Sequence, residues 1–147
     1  ATIPGRRERM GLLARARLRE RAARARSVAL AGCEWLRAPG PGLVMARGRA
    51  GGSGAPFNLG EMTVTRCTVT LSGGAIGHAC VAGRSHEHAR LAALVDAACE
   101  VPALAPSMAR DVLAPLARAE TERRRRTSAD AAETKVEFFT LERGDSP

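Results

Sequence analysis

A chain of 147 residues has room for one modest core and little else. Hydrophobic residues make up 45% of it but aromatics only 3%, so the core must be built from Leu, Val, Ala and Met, without the roughly 150–250 Å² that each aromatic buries. A core this thin suits a fold completed by a partner, and no run approaches the ~20 apolar residues of a membrane span.

The first apolar cluster is short and interrupted by Arg15, Arg17 and Arg19, unlike a signal peptide. Four cysteines (Cys33, Cys67, Cys80 and Cys99) fall without a CxxC, so their spacing yields neither a zinc site nor a disulfide framework. A cytoplasmic protein with reduced thiols is the expectation. The net charge of +8 is uneven: residues 1–50 hold twelve Arg against three acids, 51–117 four Arg against five, and 118–147 seven of each sign. Such asymmetry points to an anionic partner. Against it, 22 Arg accompany a single Lys, Lys135, amid abundant Ala and Gly, as a coding bias would produce.

Residues 6–26 are rich in Ala, Leu and Arg and predict a helix. Met10, Leu12, Leu13, Leu18 and Val28 give a partial stripe, which also fits two short helices broken near Arg17. Residues 33–37 and 43–47 read as two short strands joined by a Pro/Gly turn at 38–42.

Residues 65–82 predict a β-hairpin. With Gly73 and Gly74 as a two-residue turn, Leu71 faces Ile76, Val69 faces His78, Cys67 faces Cys80 and Thr65 faces Ala82. Cys67, Val69, Leu71, Ile76, His78 and Cys80 then share a largely apolar face, opposite Arg66, Thr68 and Thr70. In this register Cys67 and Cys80 are neighbours near His78, an imitation of a metal cluster. Buried cysteine more often acts as a small hydrophobe, and no fourth ligand is near, so the reading is two buried, reduced, metal-free thiols beside a packed histidine.

Ser85 is a good N-cap for the next helix, Glu87 suits its positive end, and Leu91, Leu94, Val95 and Ala98 form a buried stripe. Arg84 precedes the cap, where a guanidinium and free N–H groups can meet an anion; ordinary capping competes with that reading. His86 and His88 are two apart and do not share a face, which argues against a chelating pair.

Beyond Cys99, Pro102, Pro106 and Pro115 predict short or bent helices. Residues 117–126 form a charged helix ending in four arginines, offset by Glu120 and Glu122 and best read as a solvated face. Residues 134–143 alternate as an edge strand does, with Val136, Phe138 and Thr140 on one side. The loop around Gly51, Gly52, Ser53 and Gly54 lacks the ending of a P-loop and its strand–loop–helix context. A loop ordered against a partner fits it better than a nucleotide cradle.

Gly51, Gly52, Ser53 and Gly54 with Phe57, Asn58, Leu59, Gly60 and Glu61, then Val64, Thr65, Arg66 and Cys67, then Gly83 and Arg84 with His88 and Ala89, and the tail VEFFTLERGD at 136–145 occur in order. Together they resemble the G subunit of the bacterial carbon–phosphorus lyase core complex, the PhnG family. The resemblance implies one G-subunit domain over residues 1–147 and a non-catalytic place in phosphonate catabolism. In that family a nucleosidase-type subunit, supported by the G and H subunits and an ATPase-like partner, replaces the adenine of MgATP with phosphonate. The product is a ribose 1-phosphonate 5-triphosphate, which a radical iron–sulfur subunit cleaves after trimming to the monophosphate. Implied partners are therefore the nucleosidase-type, H-type and radical subunits, with MgATP and the iron–sulfur cluster held by them and no cofactor in this chain.

The expected fold class is α+β: a small antiparallel sheet with a central β-hairpin packed on helices, an N-terminal helical segment and a C-terminal strand. The residues contain no convincing nucleophile–base pair, carboxylate pair or metal set, so no catalytic residue and no metal ligand is assigned. Arg47, Arg49, Arg84, His86 and His88 are the candidates for contact with an anion or partner. A small basic nucleic-acid-binding protein is one alternative, weakened by the scarcity of aromatics for stacking. The other is a free-standing phosphate-ester enzyme using Arg84, His86 and His88.

Overall fold

The computed structural model describes residues 4–16, 32–49 and 54–135. Its elements run α1 (Arg6–Arg15), β1 (Cys33–Gly48), β2 (Phe57–Leu71), β3 (Ile76–Ala82), α2 (His86–Cys99), a short α3 (Ala105–Met108), a π turn (Ala109–Leu113) and α4 (Ala114–Glu133). The strands form one antiparallel sheet in the order β1-β2-β3, with helices on one face. The α+β architecture and N-terminal helix agree with expectation. Residues 17–31 and the tail at 136–143 lie outside the described residues, and the predicted terminal strand with them; Thr134 caps the C-terminal end of α4.

The hairpin forms, but in the other register. Arg66 pairs with Cys80, Cys67 with Ala79, Thr68 with His78 and Val69 with Gly77. The turn is three residues long: Gly74 N–H bonds the Leu71 carbonyl at 2.8 Å, and Leu71 N–H bonds that of Ala75 at 2.9 Å. Gly74 sits at φ +82°, the left-handed position that closes a three-residue hairpin loop. A one-residue slip moves every β3 side chain to the opposite face. Gly77, Ala79 and Val81 therefore face the helices, while Ile76, His78 and Cys80 face out.

The cause lies at Gly77. A Cβ built there would stand 2.0 Å from the Ala93 carbonyl oxygen and 2.4 Å from the Ala97 nitrogen. α2 thus lies directly on the strand backbone, and only glycine permits that approach. Cys67 and Cys80 consequently sit on opposite faces, one buried and one exposed, and are not the buried pair the two-residue turn predicts.

β1 is likewise not two strands around a turn. It runs continuously from Cys33 to Gly48 through Pro39 and Pro41, with register shifts between Trp35 and Arg37, between Arg37 and Gly40, and between Ala46 and Arg47. Proline is tolerated because β1 is an edge strand, where a missing donor breaks no central ladder.

α2 is the hub of the core. Ser85 caps it, accepting from His88 N–H at 3.3 Å, and every residue from Leu91 to Cys99 is buried. Its expected stripe is present but widens to the whole circumference, because the sheet covers one side and α1, Met108, Val112, Leu113 and Leu116 cover the rest. The π turn stands just before Pro115, whose absent N–H removes the α-helical partner of the Asp111 carbonyl. Trp35 lies at the margin of this core beneath the Arg90 guanidinium, 5.7 Å from the ring centroid.

One acid interrupts the apolar run: Asp96, fully buried. Its Oδ1 accepts from Arg9 at 2.8 and 2.9 Å, and its Oδ2 from Arg6 at 2.9 and 3.2 Å and from His78 N–H at 3.0 Å. Arg9 also pairs with Glu100. Burial opposes the Arg9 charge, yet its bonds to Asp96 and Glu100 outweigh that and raise its pKa. Arg6 in addition donates to the Ile76 carbonyl at 2.7 Å. α1 is thereby fastened to α2, and the outer edge of β3 has its Ile76 carbonyl and His78 N–H satisfied by side chains. That blunts the edge against further strands.

Candidate functional site

Beyond the segment paired by β3, β1 and β2 continue as a two-stranded arm. β3 pairs only residues 64–70 of β2, whereas β1 accompanies β2 out to Phe57. Leu43 pairs with Thr63, Val44 with Met62, Met45 with Glu61 and Ala46 with Gly60; an extra residue in β2 then shifts the ladder, so that Arg47 pairs with Asn58 and Gly48 with Phe57. Leu43 and Met45 thus occupy one face. Val44, Ala46, Met62 and Phe57 occupy the other, joined by Leu59, whose Cδ1 lies 2.6 Å from where a Gly48 Cβ would be. Leu43, Met45, Phe57, Leu59 and Met62 each remain between 45% and 59% exposed. The described helices leave these side chains about half exposed.

The two arginines predicted as contacts on this arm, Arg47 and Arg49, are exposed at its far end. Arg84 and His86 stand at the start of α2, next to Ala82, which pairs with Val64 and through it with Gly42. Gly42 and Arg47 are five residue steps apart along the strand, roughly 15 Å at the ordinary rise. The five candidates therefore do not converge on one small ligand. Arg84 and His86 are exposed, with no partner among the described residues.

His88 turns inward instead. Its Nε2 lies 2.8 Å from the Leu13 carbonyl oxygen, one of the last carbonyls of α1 and without an intrahelical partner among the described residues. With Ser85 bonding its N–H, the residue ties the start of α2 to the end of α1. The basic N-terminal third is also partly internal: Arg6 and Arg9 hold Asp96, and Arg15 pairs with Glu120 at 3.3 Å. In the four-arginine run, Arg123 and Arg124 bond Glu120 while Arg125 and Arg126 bond Glu122, all at 3.0 Å or less. Hydrogen bonds from Arg125 and Arg126 lower the Glu122 pKa to about 2. These arginines serve the helix and its surface rather than a free basic patch.

The outer sheet face holds one pair that sequence reading missed: Thr68 Oγ1 and His78 Nδ1, 3.1 Å apart across the hairpin. A hydroxyl beside an imidazole resembles a nucleophile and its base. The pair is exposed, and no carboxylate among the described residues orients the ring, so it acts as a cross-strand contact. Cys67 and Cys99 are closed to chemistry, since burial pushes both thiols up to about 11; Cys67 donates to the Ala89 carbonyl at 3.1 Å. Among the described residues no three His, Cys, Asp or Glu side chains gather as a metal site, and no helix is long and apolar enough to cross a membrane.

The sequence carried two signals for the features overlooked. An aspartate within the apolar run from Leu91 to Cys99 marks a buried ion pair. Large apolar residues at Leu43, Met45, Phe57, Leu59 and Met62, on both sides of a glycine-rich loop, mark an apolar ribbon.

The family described as phosphonate metabolism protein PhnG matches residues 4–144. A relative from Rhizobium meliloti (strain 1021), named alpha-D-ribose 1-methylphosphonate 5-triphosphate synthase subunit PhnG, is 46% identical over 110 residues. That alignment spans 75% of this chain and 70% of the relative.

Proposed function

The chain belongs to the PhnG family of phosphonate-metabolism proteins, and from that premise we propose that it is a non-catalytic subunit of a ribose 1-methylphosphonate 5-triphosphate synthase, within a carbon–phosphorus lyase core complex. The observation that carries the reading is the apolar arm, exposed on both faces. A two-stranded ribbon is marginal in water by itself, and large exposed apolar patches mark association surfaces. The protein is built to be one part of something larger. Its partners are the nucleosidase-type, H-type and radical subunits, in the cytoplasm. MgATP and the iron–sulfur cluster belong to those partners, and the nucleosidase-type subunit replaces the adenine of MgATP with phosphonate.

In that arrangement this chain organises and the partner reacts. Arg84 and His86, exposed at the start of α2 and free among the described residues, meet a carboxylate or phosphate of the assembled complex; a guanidinium binds such groups bidentately.

The test is single-turnover adenine release from MgATP and phosphonate by the intact complex. Arg84→Ala and His86→Ala, each at saturating concentration of the chain, reduce the rate partially. A catalytic acid or base contributes about 10²–10⁴-fold. A loss beyond about 10³-fold with assembly and substrate binding unchanged shows that this subunit supplies reacting groups, and the organising role then fails.

A further inference from the structure

The geometry points to an arm that inserts into an apolar cleft of a different protein chain, a cleft lipped with carboxylates; this rests on the subunit reading above and names the surface that makes the contact. Leu43 and Met45 stand on one face of the β1–β2 arm, and Phe57, Leu59 and Met62 on the other. A flat partner surface covers one face of a ribbon and leaves the second wet. Only a cleft removes both from water.

Charge identifies the occupant further. The arm carries Arg47 and Arg49 near its tip against Glu61 alone, in a chain of net charge +8. A second copy would bring like charges together. The hollow of a copy lined by Gly5, Arg6, Arg7, Glu8, Gly11 and Arg15 carries three arginines against one acid, which repels an arm tipped with arginines. Pro39 and Pro41 also remove donors from β1, which weakens strand addition by a like chain. An apolar cleft with an acidic lip, on a partner of another sequence, satisfies all three conditions.

The experiment titrates the full-length chain against the nucleosidase-type subunit by isothermal titration calorimetry, in low and high salt. Met45→Asp and Leu59→Asp, on opposite faces, each raise Kd ~30-fold or more, the size of a central anchor. Ile76→Asp, exposed on the sheet away from the arm, stays within about twofold. Far-UV circular dichroism and melting confirm folding of each variant. Where an aspartate variant fails to fold, the serine variant at the same position replaces it and weakens binding ~5-fold or more. Arg47→Ala with Arg49→Ala flattens the salt dependence.

Wild-type affinity in both aspartate variants overturns the proposal and leaves the subunit reading intact. Sensitivity at only one face replaces the cleft by a flat contact and also overturns it. A dimer of the chain alone, dissociated by the same substitutions, makes a second copy the occupant and overturns it too. Absence of binding by the wild-type chain overturns the subunit reading itself.

Discussion

A methyl group on Gly77 would stand 2.0 Å from the carbonyl oxygen of Ala93, so β3 and α2 meet backbone to backbone at this crossing. That contact decides which face of β3 turns inward. Gly77→Ala is accordingly expected to cost about 3 kcal/mol or more, since neither backbone can yield without moving the core. Gly74→Ala meets open space but keeps a positive φ, and costs about 1–2 kcal/mol. Urea unfolding distinguishes them: both midpoints fall at unchanged m, Gly77→Ala further.

Asp96→Ala leaves the buried Arg9 charge with Glu100 alone and strips the His78 N–H of its acceptor. The expected loss is about 3–5 kcal/mol. Arg9→Leu combined with Asp96→Leu recovers a large part of it, because two apolar side chains replace two desolvated charges. A double variant no more stable than Asp96→Ala would contradict this account.

The thiols divide by face. Iodoacetamide at pH 8 labels exposed Cys80, while Cys67 and Cys99 react only after unfolding, as peptide mass spectrometry of timed samples will show. Their pKa values, raised by burial from 9.0 to about 11, also set a pH window. The folded state holds these protons more tightly than the unfolded chain, so stability is full below pH 9 and falls between pH 9 and 11. The decline reaches at most about 2–3 kcal/mol per thiol. Cys67→Ser with Cys99→Ala flattens that part of the curve.

His88→Ala removes the link between α2 and the end of α1, at a cost of about 1 kcal/mol. Hydrogen exchange then accelerates in α1 amides more than in β2. Arg84→Ala, at an exposed side chain with no hydrogen bond or ion pair among the described residues, stays within ±0.5 kcal/mol. Equal destabilisation by both would place Arg84 in the fold rather than at the surface.

The Ser85 cap, the strands and the helical run after it were legible in the sequence because each rests on local chemistry. Hairpin register was not. Gly73 and Gly74 invite a two-residue turn, and Ile76 and Cys80 are more apolar than Gly77 and Ala79. The decision lies with α2, which presents small residues and demands a glycine opposite, a tertiary condition no local pattern encodes. The continuity of β1 was hidden similarly, since Pro39 and Pro41 signal a turn unless the strand is known to lie at an edge. Of the candidate contact residues, Arg47, Arg49, Arg84 and His86 lie exposed at the surface. His88 does not, because its acceptor, the Leu13 carbonyl, comes from 75 residues away.

Arg6 and Asp96 hold the Ile76 carbonyl and the His78 N–H on the outer edge of β3, while Pro39 and Pro41 remove donors from the opposite edge, β1, so both edges of the sheet are poor templates for a further strand. A block with two open sides can be added to from either and will string into filaments. A block blunted at both edges is added to through its faces or its arm instead. The ion pairs that bind α1 to the core therefore also guard one edge of the sheet against stray strand pairing.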